Sequence, residues 1–172
     1  MAWTTPKTNW ATNDVPSASQ MNDIGNNLSY LLSRVGSSGR RDNGSNYTIA
    51  ANTFAAVDST NLAKTLTLAG TRVLVTVNCT LVNSGANVKN DLDVNVNGTR
   101  WGRSGIDGLT TVVVNSATSP GNGSFSVFID GLTPGSNVFQ LMWKAQATTS
   151  TMYSGAGSAG TDYIPSFSVQ EC

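Results

Sequence analysis

Any chemistry in this chain would begin with Asp91 and Asp93, two carboxylates that alternate with Leu92 and Val94 and so share one face of a predicted strand. Paired carboxylates are what glycoside hydrolysis requires. The chain has no histidine, which removes catalytic triads, most zinc sites and the usual base near neutral pH. Its single glutamate is Glu171. We therefore interpret the two aspartates as a solvated strand face and expect no enzymatic activity.

The same acidic stretch is similar to the first part of a calcium-binding loop. The glycine and the distal glutamate of such a loop are missing, and the intervening Leu92 and Val94 suit a strand better. No glycine cluster follows a predicted strand and opens a helix, so a nucleotide cradle is not indicated. The sequence predicts no metal and no cofactor.

Four side chains are candidates for binding a ligand: Trp101, Arg103, Tyr153 and Tyr163. The first two lie near a predicted hairpin tip, and the two tyrosines flank a small, polar loop. Amphipathic aromatic side chains of this kind stack on sugars or on protein side chains. The other interpretation is that Trp101 belongs to the core and that the tyrosines close the β domain.

Composition limits the partners of the chain. Of its 172 residues 39% are hydrophobic, which is enough for a core, and only 12% are charged. The net charge is zero without a basic block, so neither nucleic acid nor an anionic membrane is an expected partner. No apolar run of membrane-spanning length and no export leader is visible, and we expect no membrane insertion.

The two cysteines do not form a disulfide framework. Cys79 lies in an apolar run and is predicted to be a small core residue, whereas Cys172 is the final residue and is expected to be exposed or beside the final strand. The sequence leaves a bond between them open, although a reducing cytoplasm would disfavour it.

Residues 17–35 are predicted to form one short helix. Its apolar residues recur at spacings of three and four, which is the seam of a coiled coil. This seam consists of Met21, Ile24, Leu28, Leu31 and Val35. Asparagine and glycine inside the helix make it marginal alone, so it needs packing. The seam either joins copies of the chain or lies on the β domain of its own chain.

Residues 1–16 are predicted to be an extended arm, and residues 36–48 a hinge loop. The arm carries Trp3 and Trp10 but has no periodic pattern, so it cannot form a core of its own. Tryptophans on such a segment either pack back on the domain or insert into another protein as anchors.

From residue 49 to residue 172 the alternation of apolar and polar residues predicts a β domain. The clearest strand is 72–82, and a second, 91–98, ends in Asn97 and Gly98, a pair typical of tight hairpins. Further strands are predicted at 65–68, 109–115, 124–129, 137–145, 148–153 and 163–170. Short strands at even spacing predict an antiparallel sandwich.

The N-terminal residues carry a resemblance to a known family. They are Trp3, Pro6, Lys7, Trp10, Pro16, Asn22, Asn27, Leu28 and Leu31. Over the first 35 residues the chain resembles an N-terminal module of tailed-bacteriophage structural proteins, from which Gly25 is a departure. The resemblance implies that Trp3, Pro6, Lys7 and Trp10 attach the chain to a virion.

A second resemblance covers roughly residues 60–172. Two predicted strands at 124–143 are joined by a turn at 132–135, and a closing strand follows at 165–171. This order resembles the C-terminal jelly-roll domains of phage fibre and decoration proteins, similar to the tumour-necrosis-factor-like fold. It implies an antiparallel jelly-roll sandwich and a homotrimer with the seam on the threefold axis.

The two resemblances together imply a non-enzymatic bacteriophage virion surface protein, made in the host bacterial cytoplasm. It would be a homotrimeric short fibre or a capsid or neck decoration protein, anchored to other virion proteins of the capsid, neck or tail by its arm. The alternative is a tail receptor-binding knob that recognises a host cell-surface glycan. A helix of about 27 Å gives no long shaft, which favours the short fibre or decoration protein.

Overall fold

The computed structural model describes residues 5, 7–33, 36–40, 44–102, 107–114, 119–155 and 163–172. Four residues discussed above, Trp3, Pro6, Val35 and Arg103, lie outside these ranges. Within them the chain forms one helix and twelve strands. Their bounds are α1 Ala18–Ser33, β1 Ser37–Arg40, β2 Tyr47–Ile49, β3 Ala55–Ala56, β4 Ala63–Leu68, β5 Val73–Asn83, β6 Val88–Val96, β7 Thr99–Arg100, β8 Thr110–Val114, β9 Gly121–Ile129, β10 Gly135–Ala145, β11 Ser150–Met152 and β12 Ser166–Glu171.

The strands form two antiparallel sheets packed as a sandwich. In the first sheet β5 pairs with β9, β11 and β12, and the sheet continues from β12 to β1 and from β11 to β2. In the second, β10 pairs with β3, β4 and β6, and β6 also pairs with β7 and β8. Successive long strands change sheets, which gives a jelly-roll-like sandwich. The predicted fold class is confirmed.

The core lies between the sheets because the apolar residues of each strand share one face. On β5, Val73, Val75 and Val77 are completely buried, as the alternation predicts. Phe139 and Leu141 of β10 meet them from the second sheet. Cys79 is a buried core residue and Cys172 is exposed, and the two are not bonded to each other.

Two predicted turns lie where the sequence places them, but only one makes a hairpin. Asn97 and Gly98 both have positive φ, of 50° and 88°, and join β6 to β7. The turn at 132–135 instead connects strands of different sheets, since β9 pairs with β5 and β10 pairs with β6. This turn is a crossing between the two layers.

The prediction of a hinge loop over residues 36–48 is wrong at both ends. Ser37–Arg40 forms β1, which pairs with β12, and β2 begins at Tyr47. Gly39 allows close packing within this segment, because a Cβ at this position would overlap the carbonyl oxygen of Asn61. The helix is therefore joined to the head by a paired strand.

The start of the helix agrees with the sequence, whereas the arm differs from it. The Gln20 N–H donates to Ser17 Oγ at 3.2 Å and the Ser17 N–H donates to Gln20 Oε1 at 2.8 Å, the two bonds of a capping box. The described arm is not extended throughout: Lys7 Nζ lies 2.6 Å from Asp14 Oδ2, which closes a turn.

Gly123 on β9 gives a test of the packing between the sheets. A Cβ here would lie 2.8 Å from Leu92 Cδ1 and 2.8 Å from Val112 Cγ2, both inside the core. We expect Gly123→Ala to lower the free energy of unfolding by about 1–3 kcal/mol through overpacking, measured by urea denaturation. The same change at Gly25, where a Cβ meets nothing within 4 Å, should raise helix content without lowering that free energy. Equal losses in both variants would contradict this account.

Candidate functional site

The helix presents its apolar seam outward. Met21, Ile24, Leu28 and Leu31 are 54%, 48%, 57% and 51% exposed, respectively. Half-exposed side chains of this size leave on the order of 1 kcal/mol of hydrophobic stabilisation each unrealised. Contiguous exposed apolar side chains are typical of interaction surfaces, and this stripe is therefore the first candidate for one.

The covered positions of the helix are polar. Gln20, Asp23 and Tyr30 are partly covered, and Asn27 is only 5% exposed. They lie at spacings of three and four, so they form a stripe of their own on a different side from the seam. In the single chain each described seam residue is about half exposed, so the seam is not buried on the β domain of its own chain.

Trp10 adds to the apolar seam from the arm. Its indole N–H donates to the Lys7 carbonyl oxygen at 2.7 Å, and the Lys7 ammonium lies 4.7 Å from the ring centre. The ring lines a small cavity with Gln20, Asp23 and Ile24 while remaining 43% exposed. Trp10 thus partly packs on its own helix and still offers an aromatic face. We call the described seam residues, Met21, Ile24, Leu28 and Leu31, the helix surface.

A cavity of about 390 Å³ joins the end of the helix to the first sheet. Leu31 lines it from the helix, and Ser37 and Ser38 line it from β1. Ser168 and Gln170 of β12 complete it on the outer face of the sheet, since Phe167 and Val169 point into the core. The helix surface is therefore continuous with the outer face of the first sheet.

The predicted ligand-binding residues separate into two places. Tyr153 and Tyr163 stack with ring centres 6.1 Å apart and planes 17° apart. The Tyr153 N–H donates to the carbonyl of Thr80 in the first sheet, whereas the Trp101 N–H donates to Val94 in the second. Trp101 is 39% exposed, so the interpretation of it as a core residue is wrong. The tyrosines and Trp101 do not form one site.

Tyr163 borders a polar groove of about 280 Å³ on the first sheet. Its lining includes Asn78, Thr80, Asn122 and Ser124, the first two from β5 and the others from β9. Amide and hydroxyl groups beside an exposed aromatic ring can hydrogen-bond and stack with a neutral, hydroxyl-rich ligand. The tyrosines were visible in the sequence, but the groove depends on the pairing of β5 with β9.

The interpretation of Asp91 and Asp93 as a solvated strand face is wrong, since both are completely buried. Thr111 Oγ1 donates to Asp91 Oδ1 at 2.5 Å, and Gln146 Nε2 donates to Asp91 Oδ2 at 2.8 Å. Lys144 Nζ lies 3.4 Å from the same Oδ2 atom. These three partners come from β8, from β10 and from the segment just after β10, so local alternation could not show them.

Asp93 has its own set of partners. Its Oδ1 atom accepts hydrogen bonds from the N–H groups of Val94 and Gly102 at 2.7 and 2.9 Å. Its Oδ2 atom lies 2.7 Å from Arg100 Nε, as an ion pair without directed hydrogen-bond geometry. Burial raises the pKa of the Asp93 carboxyl, and the N–H donors and Arg100 oppose this rise only in part.

Phe54 covers the two ion pairs. The Arg100 guanidinium lies 4.0 Å and the Lys144 ammonium 5.1 Å from the centre of its ring. Two buried acids are thus matched by two cations beneath one aromatic side chain. This arrangement joins β6 to β10 and to β7, and pairing with the buried Lys144 and the partly exposed Arg100 accounts for the burial of both carboxylates.

Within the described ranges, no group of three or more histidine, cysteine, aspartate or glutamate side chains is placed to hold a metal ion. In that part of the chain, no helix is both long and apolar enough to cross a membrane.

Comparison with known proteins adds little. No family model matches the chain, and no curated protein matches it. A solved structure of dimeric latent PorU from Porphyromonas gingivalis matches over 80% of this chain with 9% sequence identity and a TM-score of 0.37. The matched region is 13% of the PorU chain, and such a TM-score is too low to support an argument about function.

Asp58 and Asp93 should respond to pH with opposite signs. Burial alone would raise the pKa of Asp58, but hydrogen bonds from Tyr47, Asn61 and Thr60 outweigh it and lower the pKa. The stabilisation by Asp58 is therefore present above its unfolded pKa of about 3.9 and is lost as the pH falls. The raised pKa of Asp93 makes its ionised form destabilising, so its contribution to stability falls as the pH rises from about 4.

We therefore expect two opposite changes in the slope of urea midpoint against pH between about pH 3 and pH 7. Asp58→Asn should make that slope less positive than in the wild type, because a group stabilised by ionisation is lost. Asp93→Asn should make it more positive, because a group destabilised by ionisation is lost. Changes of the same sign in the two variants would contradict the assigned directions.

Proposed function

We propose that this chain is a non-enzymatic bacteriophage virion surface protein, a homotrimeric short fibre or a capsid or neck decoration protein. The helix surface joins the copies, and the N-terminal arm with Lys7 and Trp10 attaches the assembly to another virion protein. The β-sandwich is the displayed head. Located at the virion surface, such a protein needs no catalytic site.

The exposed seam of the helix is the observation that carries this proposal. The covered side of the helix is polar and the seam is half exposed, so the single chain leaves its apolar side chains unpaired. An isolated helix of 16 residues containing Gly25 and several asparagines is marginal in water. Packing of several seams against one another supplies the missing burial, and the seam spacing suits a bundle of parallel helices.

The double variant Ile24→Asp, Leu28→Asp should be a monomer of 18.0 kDa, whereas the wild type should have three times that native mass. Charges placed in a seam buried between copies would be unpaired and strongly destabilising. The measurement is native mass spectrometry or light scattering. Val15→Asp is the matched control, because Val15 is 86% exposed and lies outside the helix. A wild-type chain that stays monomeric over micromolar concentrations would overturn the trimer.

The virion assignment has a separate test. Particles purified from the phage that encodes this chain should contain it, detected by peptide mass spectrometry after a density gradient. Trp10→Ala should leave the native mass of the free protein unchanged and deplete the chain from the particles. Absence of the wild-type chain from intact particles would refute the virion role.

The groove beside Tyr163 favours a second candidate function, a receptor-binding knob for a neutral host-surface glycan. A saccharide can stack on an exposed aromatic ring and form hydrogen bonds with the amide and hydroxyl groups beside it. The described lining contains no charged side chain. Because the groove offers no charged group to pair with a charged ligand, we expect its ligand to be a neutral saccharide.

An array of bacterial surface polysaccharides tests this second function. The intact protein should bind at least one neutral polysaccharide, and Tyr163→Ala should weaken that binding at least tenfold through loss of the stacking face. Trp101→Ala is the control and should leave binding unchanged, because Trp101 follows β7 at the second sheet, away from the groove. Absence of binding by the wild type across the array would exclude the knob.

A further inference from the structure

We propose that the outer face of the first sheet, around Leu74 and Phe128, is a second contact between copies of this chain. This inference rests on the proposed function, since it names the head surface by which the trimer is completed. The partner is therefore a second copy of the same chain. Four observations lead to this face: the area that the helix surface offers, the connection between helix and sheet, the exposure of Phe128, and the distribution of charge.

The helix surface alone is too small for a stable interface. Its four side chains are each about half exposed and together offer on the order of 400 Å² of apolar area. A specific protein interface buries about 800 Å² on each partner. An assembly held through the helix must therefore bury a comparable area of the head.

The connection at Leu31 indicates which part of the head adjoins the helix. Leu31 lines the cavity shared with Ser168 and Gln170, whose side chains lie on the outer face of β12. Gln170 is opposite Leu74 of β5, and Leu74 is opposite Phe128 of β9. One row of side chains thus runs from the cavity beside the helix across three strands to Phe128.

Phe128 ends this row with a large apolar surface. It is 54% exposed, more than any other large hydrophobic residue described in the head. Leu74 beside it is only partly covered, and the Arg72 guanidinium lies 5.5 Å from the Phe128 ring centre. Phenylalanine and arginine side chains of this kind supply much of the binding energy at protein interfaces.

Charge separates this face from the other side of the head. Within β5, β9 and β12 the outward residues are serine, threonine, asparagine, glutamine, leucine, valine and phenylalanine, and none is charged. At the end of the face beside Phe128, Arg72 and Asp130 form an ion pair with each other, so their charges cancel locally. The outward side of the second sheet carries the pairs of Asp91 with Lys144 and of Asp93 with Arg100. In a trimer, like residues of the copies approach one another near the threefold axis, so a face without net charge can lie beside that axis without repulsion between like charges.

Substitutions on the two sheets test the face with matched controls. Ser126 and Ser136 are both exposed serines on strands, Ser126 on β9 of the first sheet and Ser136 on β10 of the second. We expect Ser126→Arg to raise the protein concentration for half-assembly at least tenfold by native mass spectrometry. Ser136→Arg should leave it unchanged.

A second pair of variants removes apolar contact instead of adding charge and bulk. Phe128→Ser should raise the concentration for half-assembly by a similar factor, whereas Val138→Ser on the second sheet, at 46% exposure, should not. Far-ultraviolet circular dichroism and the urea midpoint of each variant establish that its head is folded. The exposure of both side chains in the single chain makes a loss of folding unexpected.

The outcomes distinguish this inference from the function on which it rests. Trimers that dissociate on Ser126→Arg and Phe128→Ser but not on the two control changes support the second contact. A trimer that persists in both of these variants, yet dissociates on the seam change at Ile24 and Leu28, overturns the second contact and retains the proposed function. A monomeric wild type overturns both.

Discussion

The register of β5 is the constraint on which the rest of the structure depends. Its alternation sends Val73, Val75 and Val77 into the core and Leu74 and Thr76 to the outer face. Because side chains repeat every two residues, a slip of one residue would exchange the two sets. Pairing with β9, β11 and β12 fixes the register along most of the strand. The core and the proposed contact face are thus set by the same hydrogen bonds.

The two sheets differ in the charge of their outward sides. The second sheet pairs two buried acids with Lys144 and Arg100 on its outward side, beside Phe54, so these charges are neutralised within the chain. The first sheet carries no charge on the outward side of its three long strands. The second sheet is therefore stabilised by ion pairs within the chain. The first sheet presents a surface that a neutral or apolar partner can bind with little cost of desolvating charges.

The features that the sequence predicted correctly are those that depend on residues close together in the chain. The alternation of β5, the Asn97-Gly98 hairpin and the Ser17 capping box depend on neighbouring residues, and each is present in the structure. The strand Ser37–Arg40 was missed because its residues have little β propensity and are held by pairing with β12. The burial of Asp91 was missed for a related reason, since Lys144 and Gln146 are distant in sequence. The apolar seam of the helix could be predicted from its spacing, but the burial of the polar side chain of Asn27 could not.

The pairing of β1 with β12 has a consequence for the order of events during synthesis. Ser37 pairs with Val169, and Val75 of the central strand also pairs with Val169, so the first sheet closes only after the chain has been made to that point. Contacts of such long sequence separation form slowly. The helix precedes all of them and emerges from the ribosome while the head is still incomplete. For the trimer proposed above, this order lets the helices of neighbouring nascent chains meet before β12 closes each head.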